Sequence, residues 1–293
     1  MAVNEVREGR IVLPDLRTMA YAEYGPPDGP PILYCHGFPS SRLEAQLLQP
    51  AVDALGARVI APDRPGYGLS EPLPLRSLAD FAADAVTLLD RLGVAQAGVL
   101  GVSGGGPYAL ALLTLYPKRV SRAALVAALG PPAALAAVHD RLVPLLRWGW
   151  QGAQRYPALI PFGASLAAGL LRLRSRFEFN AQFVGQSDVM VLADPKVRAI
   201  LRRSQREGLR QGGLGAAQDL VLYLRPWGFR LGGVSTPLTI WHGGADQLVP
   251  VDMAGQLGSR LAHSDMCIVA GEGHYSLPIR YRDAIMRSVL CNR

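Results

Sequence analysis

The stretch Gly98-Val-Leu-Gly-Val-Ser-Gly-Gly-Gly-Pro-Tyr-Ala-Leu-Ala111 crowds four glycines within three residues of one serine, with a short apolar run before them and an alanine-leucine run after. Gly101-Val-Ser103-Gly-Gly105 fits G-x-S-x-G, the pattern in which a strand turns so sharply into a helix that the serine adopts a strained backbone and lifts its Oγ into a cleft. Glycines two before and two after the serine keep neighbouring side chains from colliding in that turn. The pentapeptide by itself is a weak signal, because any tight glycine turn gives the same letters. The strand-like run before it and the helix formers after it are what point to a nucleophile elbow.

Working outward, further short apolar runs end in glycine, aspartate or serine: Ile32-Leu-Tyr-Cys35, Arg58-Val-Ile-Ala61, Arg122-Ala-Ala-Leu-Val-Ala127, Leu238-Thr-Ile-Trp241 and Met266-Cys-Ile-Val-Ala270. Runs without alternation imply strands covered on both faces, as in a parallel sheet between helices. Between two of them Leu78, Phe81, Ala82, Ala85, Leu88, Leu89 and Leu92 repeat at helical spacing, with Ser77 placed to cap Asp80 three residues on. Alternating strand and helix make the fold α/β. Arg10 to Gly25 reads as an antiparallel hairpin on the sheet edge. The alternation fails between Gly130 and Gly233, a region rich in Leu, Ala and Arg and broken by prolines. The expected organisation is therefore a core over 1–130 and 234–293, with a helical cap over 131–233.

Hydrophobic residues at 49% and charged residues at 18% of 293 exclude a disordered or collagen-like chain. The net charge of +7 raises nucleic acid as a partner, but the arginines are scattered, with only a loose group at Arg172, Arg174, Arg176, Arg202, Arg203, Arg206 and Arg210. No nucleic-acid partner is expected. Cys35, Cys267 and Cys291 are odd in number and lack metal-like spacing, and the first residues lack the layout of a signal peptide. A cytoplasmic setting with no metal and no cofactor follows as the expectation. Tyr156 to Leu171 (YPALIPFGASLAAGLL) is shorter than the roughly 20 residues that span a bilayer and holds two prolines. It reads as an apolar lid or core helix, so no integral membrane span is expected. A homodimer is compatible with the sequence.

A serine hydroxyl needs a general base held by a third group. After the run Leu238–Trp241 comes His242-Gly-Gly-Ala-Asp246-Gln-Leu-Val-Pro250, and after Met266–Ala270 comes Gly271-Glu-Gly-His274. The order Ser, Asp, His is the one this elbow uses. Ser103 is assigned as nucleophile, His274 as base and Asp246 as the carboxylate that fixes the imidazole, with Asp252 the rival carboxylate. His36 and His242 also follow strand runs and read as loop braces. Backbone N–H groups of Phe38, in the loop His36-Gly-Phe-Pro39, and of Gly104 are the oxyanion-hole candidates. Pro39 has no N–H to give.

These segments resemble the α/β-hydrolase superfamily. The resemblance rests on HGFPSSR (36–42), DRPGYGLS (63–70), GVSGGGPYAL (101–110), GGADQLVP (243–250) and GEGH (271–274), in the family's order. It implies an eight-stranded, mostly parallel sheet, a helical cap between the sixth and seventh strands, and a structural role for Asp63 and Arg64. HGFP resembles the loop of epoxide hydrolases and haloalkane dehalogenases, which carry an aspartate at the elbow where this chain has Ser103. Gly104 stands where many relatives carry methionine or glutamine, so an open floor beside the nucleophile is expected.

The leading functional expectation is a serine carboxylesterase or lactonase acting on a small to medium hydrophobic ester through an acyl-enzyme. Trp148, Trp150, Phe162, Phe177, Phe179 and Phe183 would supply an apolar pocket. The alternatives are C–C bond hydrolysis or perhydrolysis on the same triad, and a non-catalytic receptor that only binds its ligand.

Overall fold

The structure is a computed structural model and describes residues 6–142, 144–174 and 184–290. Arg176, Phe177, Phe179, Phe183 and Cys291 lie outside the described residues. Among the described residues, eight strands form one sheet: β1 (Arg7–Val12), β2 (Thr18–Tyr24), β3 (Pro31–Cys35), β4 (Arg58–Pro62), β5 (Ala97–Val102), β6 (Val120–Val126), β7 (Leu238–Gly243) and β8 (Ser264–Val269). Their spatial order is β1-β2-β4-β3-β5-β6-β7-β8. The β1–β2 and β2–β4 pairs are antiparallel and the other pairs parallel. The edge hairpin is present, with β1 beginning at Arg7 rather than Arg10.

The central strands show why their apolar runs do not alternate. In β3, Leu33 and Cys35 enter one hydrophobic core and Ile32 and Tyr34 the other; in β6, Ala123 and Leu125 face the first core and Ala124 and Val126 the second. Each face is roofed by helices, so both residue parities are buried. The helix Leu78–Arg91 carries the capping box its sequence implies: Ser77 Oγ accepts the Asp80 amide at 3.2 Å and Asp80 Oδ2 accepts the Ser77 amide at 2.7 Å. β8 departs from expectation. It closes the sheet as an edge strand, leaving Met266 and Ile268 exposed where a strand covered on both faces is predicted.

Among the described residues between β6 and β7, every element is helical. The apolar stretch at 156–171 forms a short turn and the helix Ile160–Arg174, which is not a core helix. Ala164 and Ala168 are buried, while Phe162, Leu166 and Leu170 face solvent. Among the described residues, no helix is long and apolar enough to cross a membrane.

Candidate active site

β5 ends in extended backbone at Val102, and the chain breaks at once into the turn Ser103–Gly105 and the helix Gly106–Leu115. Ser103 takes φ +52°, a left-handed conformation that costs a side-chain-bearing residue about 1–2 kcal/mol. The glycines let this turn press on its neighbours. A Cβ at Gly105 would fall inside the Cys35 carbonyl oxygen at the end of β3, and one at Gly106 would lie 2.6 Å from Ala128 Cβ beyond β6. The floor beside Ser103 is not open. A Cβ at Gly104 would lie 2.5 Å from the Tyr223 hydroxyl and 2.6 Å from Phe38 Cβ, so the missing side chain makes room for Tyr223.

Three residues predicted from the sequence meet at the carboxyl ends of β5, β7 and β8. His274 Nε2 lies 3.0 Å from Ser103 Oγ, and His274 Nδ1–H donates to Asp246 Oδ2 at 2.8 Å. The other oxygen of Asp246 accepts the Leu248 and Val249 amides, each at 2.9 Å, which fixes the carboxylate. The two loops are joined by backbone bonds, Gly244 N to Val269 O at 2.9 Å and Ala245 N to Glu272 O at 2.8 Å. Burial pulls the pKa of His274 down, but Asp246, with Asp188 and Glu44, outweighs it and leaves the imidazole above the ordinary 6.5. Burial likewise raises Asp246, and the His274 charge and hydrogen bond reverse this, leaving it below 3.8. Asp252 is elsewhere, 3.5 Å from Arg141. His242 Nε2–H donates to the Val249 carbonyl at 2.9 Å and so braces the Asp246 loop.

The loop His36–Pro39 runs beside the elbow, as the Gly104–Phe38 proximity requires. Burial and the Arg64 charge hold the His36 pKa well below the usual histidine range, so the ring is neutral and its Nδ1–H donates to the Gly37 carbonyl at 2.9 Å. Arg64 donates to the same carbonyl at 3.0 Å and to that of His36. The Gly37 carbonyl and the Phe38 N–H belong to one peptide unit. Two donors on its oxygen therefore fix its plane and polarise the N–H toward a stronger donor.

A cavity of about 80 Å³ opens at Ser103 and His274. Its apolar walls include Leu48, Leu100, Val126 and Ile279, and Leu201 and Gln205 come from the helix Pro195–Gly208. Of the aromatics predicted for it, the three described do not line it: Trp150 is buried in the core, and Trp148 and Phe162 are exposed.

The sequence profile of the alpha/beta hydrolase fold matches residues 30–280. The chain belongs to the alpha/beta hydrolase fold family. Its relatives carry several hydrolase names. It is 38% identical over 113 residues to bifunctional epoxide hydrolase 2 of Sus scrofa, a match covering 38% of this chain and 20% of that protein. It is 25% identical over 288 residues to a bifunctional esterase/perhydrolase of Acinetobacter calcoaceticus, covering 96% of this chain and 98% of that one. Among solved structures, a thermophilic esterase from Thermogutta terrifontis superposes with a TM-score of 0.68 at 21% identity, over 97% of this chain and 96% of that chain. The chain thus spans about a fifth of the length of the Sus scrofa enzyme and nearly all of the Acinetobacter one.

In this α/β-hydrolase, one buried residue ties the helical segment to the loop His36–Pro39. Asp219, on the helix Leu214–Leu224, is fully buried. It pairs with Arg64 at 2.8 Å and with Arg76, and accepts hydrogen bonds from Tyr67 at 2.8 Å and from Tyr108. The Tyr223 hydroxyl lies 3.0 Å from Asp219 and 2.8 Å from the Gly104 carbonyl, one proton serving one acceptor at a time. Burial raises the Asp219 pKa, and the two arginines and the tyrosine hydrogen bonds reverse this and bring it down to about 2. The helix reaches the core because Gly66 and Gly215 meet backbone to backbone, with the Gly215 amide donating to the Gly66 carbonyl at 3.2 Å. Sequence reasoning missed Asp219. Its helix gives no strand or turn signal, and its arginine partners lie far away along the chain.

Proposed function

We propose that this chain is a serine hydrolase that cleaves small to medium hydrophobic carboxylic esters, with residues 131–233 as its cap. The observation that carries the reading is the unbroken relay from Asp246 through His274 to Ser103, opening on the apolar cavity. Ser103 Oγ attacks the ester carbonyl carbon while His274 Nε2 takes its proton, and Asp246 steadies the imidazolium. The carbonyl oxygen, now an oxyanion, is held by the Phe38 and Gly104 N–H groups. Collapse expels the alcohol, protonated by His274. Water, deprotonated by the same imidazole, then attacks the acyl-enzyme and releases the acid and Ser103.

The cavity walls bear on the acyl preference. The apolar walls at Leu48, Leu100, Val126 and Ile279 favour a hydrophobic acyl group beside Ser103. Hydrolysis of p-nitrophenyl esters from acetate to decanoate is expected to show an optimum at a small to medium acyl group. A peak at decanoate would refute the preference for small to medium acyl groups, and no turnover on any ester would refute the esterase reading. The name of the Acinetobacter relative supports a second reading, perhydrolysis, in which hydrogen peroxide replaces water at the acyl-enzyme and a peracid leaves. Adding peroxide to the same assay and titrating peracid separates the two.

The pH profile has a definite sign. The base must be neutral, and its pKa in the folded protein is raised above 6.5, so kcat/KM is expected to fall as pH drops through a midpoint above 6.5. A midpoint clearly below 6.5 would show that Asp246 does not support His274 in the way the geometry implies.

A further inference from the structure

The helix Gln186–Leu192 lies in the segment between β6 and β7, yet its Asp188 is fully buried against the loop that carries His274. Asp188 Oδ2 accepts the His274 amide at 3.0 Å, while Oδ1 accepts the Tyr275 amide at 2.9 Å and the Ser276 amide at 2.8 Å. The loop is shaped for this approach. A Cβ at Gly273 would sit 2.5 Å from the Asp188 carboxylate oxygens, so only glycine fits there. The same short segment also meets the neighbouring loop. The Ser187 hydroxyl donates to the Gly271 carbonyl, and a Cβ on Gly185 would come 3.3 Å from the Ala245 carbonyl oxygen, one residue before Asp246. Residues 185–188 thus lie across both loops that bring Asp246 to His274.

We propose that Asp188 is a positioning residue for His274: it fixes the backbone from which the imidazole reaches Ser103, and its charge supports the imidazolium that forms when the serine gives up its proton. The proposal rests on the reading of His274 as the base. Three amide hydrogen bonds to one carboxylate are charge-assisted and stronger than neutral ones, and they act on the residue whose side chain must hold its place within a fraction of an ångström. The imidazole is faced by Ser103 from the elbow, Asp246 from the loop after β7, Tyr275 ring-edge at 5.4 Å on its own loop, Asp188 from the helix Gln186–Leu192, and Glu44 from the turn Arg42–Leu48. His242 stands behind Asp246 at 3.5 Å. Among these, Asp188 holds the backbone of His274 while leaving its ring nitrogens to Asp246 and Ser103.

The test compares the full-length chain with Asp188→Asn and Asp188→Glu, using two readouts: NMR titration of the His274 imidazole and steady-state hydrolysis of p-nitrophenyl acetate. Asparagine keeps the size but loses the charge and one acceptor. For Asp188→Asn, kcat is expected to fall roughly 10- to 100-fold with KM within about twofold, and the His274 titration and the acid limb of kcat/KM are expected to move together to lower pH. Glutamate keeps the charge but displaces the acceptor, so kcat should fall while the acid limb stays near its wild-type position. A folded Asp188→Asn protein with wild-type kcat and wild-type His274 titration overturns the proposal. If the wild-type chain hydrolyses no ester, the functional reading above fails, and the NMR titration alone still decides the role of Asp188. If neither variant folds, amide hydrogen exchange in the wild-type chain decides. Exchange at His274, Tyr275 and Ser276 as slow as in β5 and β6 supports the clamp, and rapid exchange there overturns it.

Discussion

Replacing Ser103 with alanine is expected to lower kcat on p-nitrophenyl acetate by about 10⁴- to 10⁶-fold, with a melting temperature within about 3 °C of wild type. The asymmetry follows from what the hydroxyl does. Among the described residues its hydrogen-bond partner is His274 Nε2 at 3.0 Å, so its removal leaves the strand, the turn and the glycine contacts untouched. Alanine tolerates φ +52° no better and no worse than serine, since the strain arises at Cβ. The residual rate would come from the Phe38 and Gly104 amides acting on an attacking water. Steady-state kinetics and thermal melts on the same preparation check both halves. A folded variant retaining a tenth or more of the wild-type kcat would remove Ser103 from the chemistry and point to another group, or a water activated by His274, as the attacking nucleophile.

The largest loss of stability is expected from Asp219→Ala. Arg64 and Arg76 are both buried and both rest on this one carboxylate. Deleting it leaves two guanidinium groups in the core without their counter-charge, and breaking a buried pair of this kind costs about 3–5 kcal/mol. Denaturant midpoints should fall accordingly. Asp219→Asn, which keeps an acceptor but no charge, should lie between that variant and wild type. Any folded fraction should also turn over more slowly, because Arg64 carries the Gly37 carbonyl and with it the Phe38 N–H. The pH window follows from the lowered pKa. The contribution of Asp219 is fully present above the unfolded value near 3.8 and is lost as pH falls from there toward about 2. A midpoint equal to wild type for Asp219→Ala would show that the arginines find other partners.

What could be read from the sequence follows from how far each signal reaches along the chain. Ser103, Asp246 and His274 each stand just past a short apolar run and among glycines, because a parallel sheet sends its functional loops out from the strand ends. The runs themselves were legible since burial on both faces removes alternation. β8 misled for the opposite reason. Its composition resembles a central strand, and nothing local says that no ninth strand follows it on that side. Gly104 misled because its neighbour in space, Tyr223, lies more than a hundred residues away. Asp188 and Asp219 were invisible: each sits in an ordinary helix, and their partners are backbone amides and arginines supplied by distant loops. Trp148, Trp150 and Phe162 misled similarly, since periodicity alone does not say which face of a helix looks into a cavity.

A stretch of helices inserted between two strands invites treatment as an interchangeable part, to be swapped among relatives when a new substrate is wanted. Here the graft would cut through the foundations of the proposed active site. Asp219 supplies the counter-charge for two core arginines, and Asp188 supplies the acceptor for three amides of the His274 loop. A donor segment lacking either carboxylate would leave the recipient sheet with orphaned cations or a slack histidine loop, however well its new walls fitted the intended ester. Successful chimeras of this protein should therefore be those that transplant the walls, such as Leu201 and Gln205, and leave both aspartates and the glycines facing them in place.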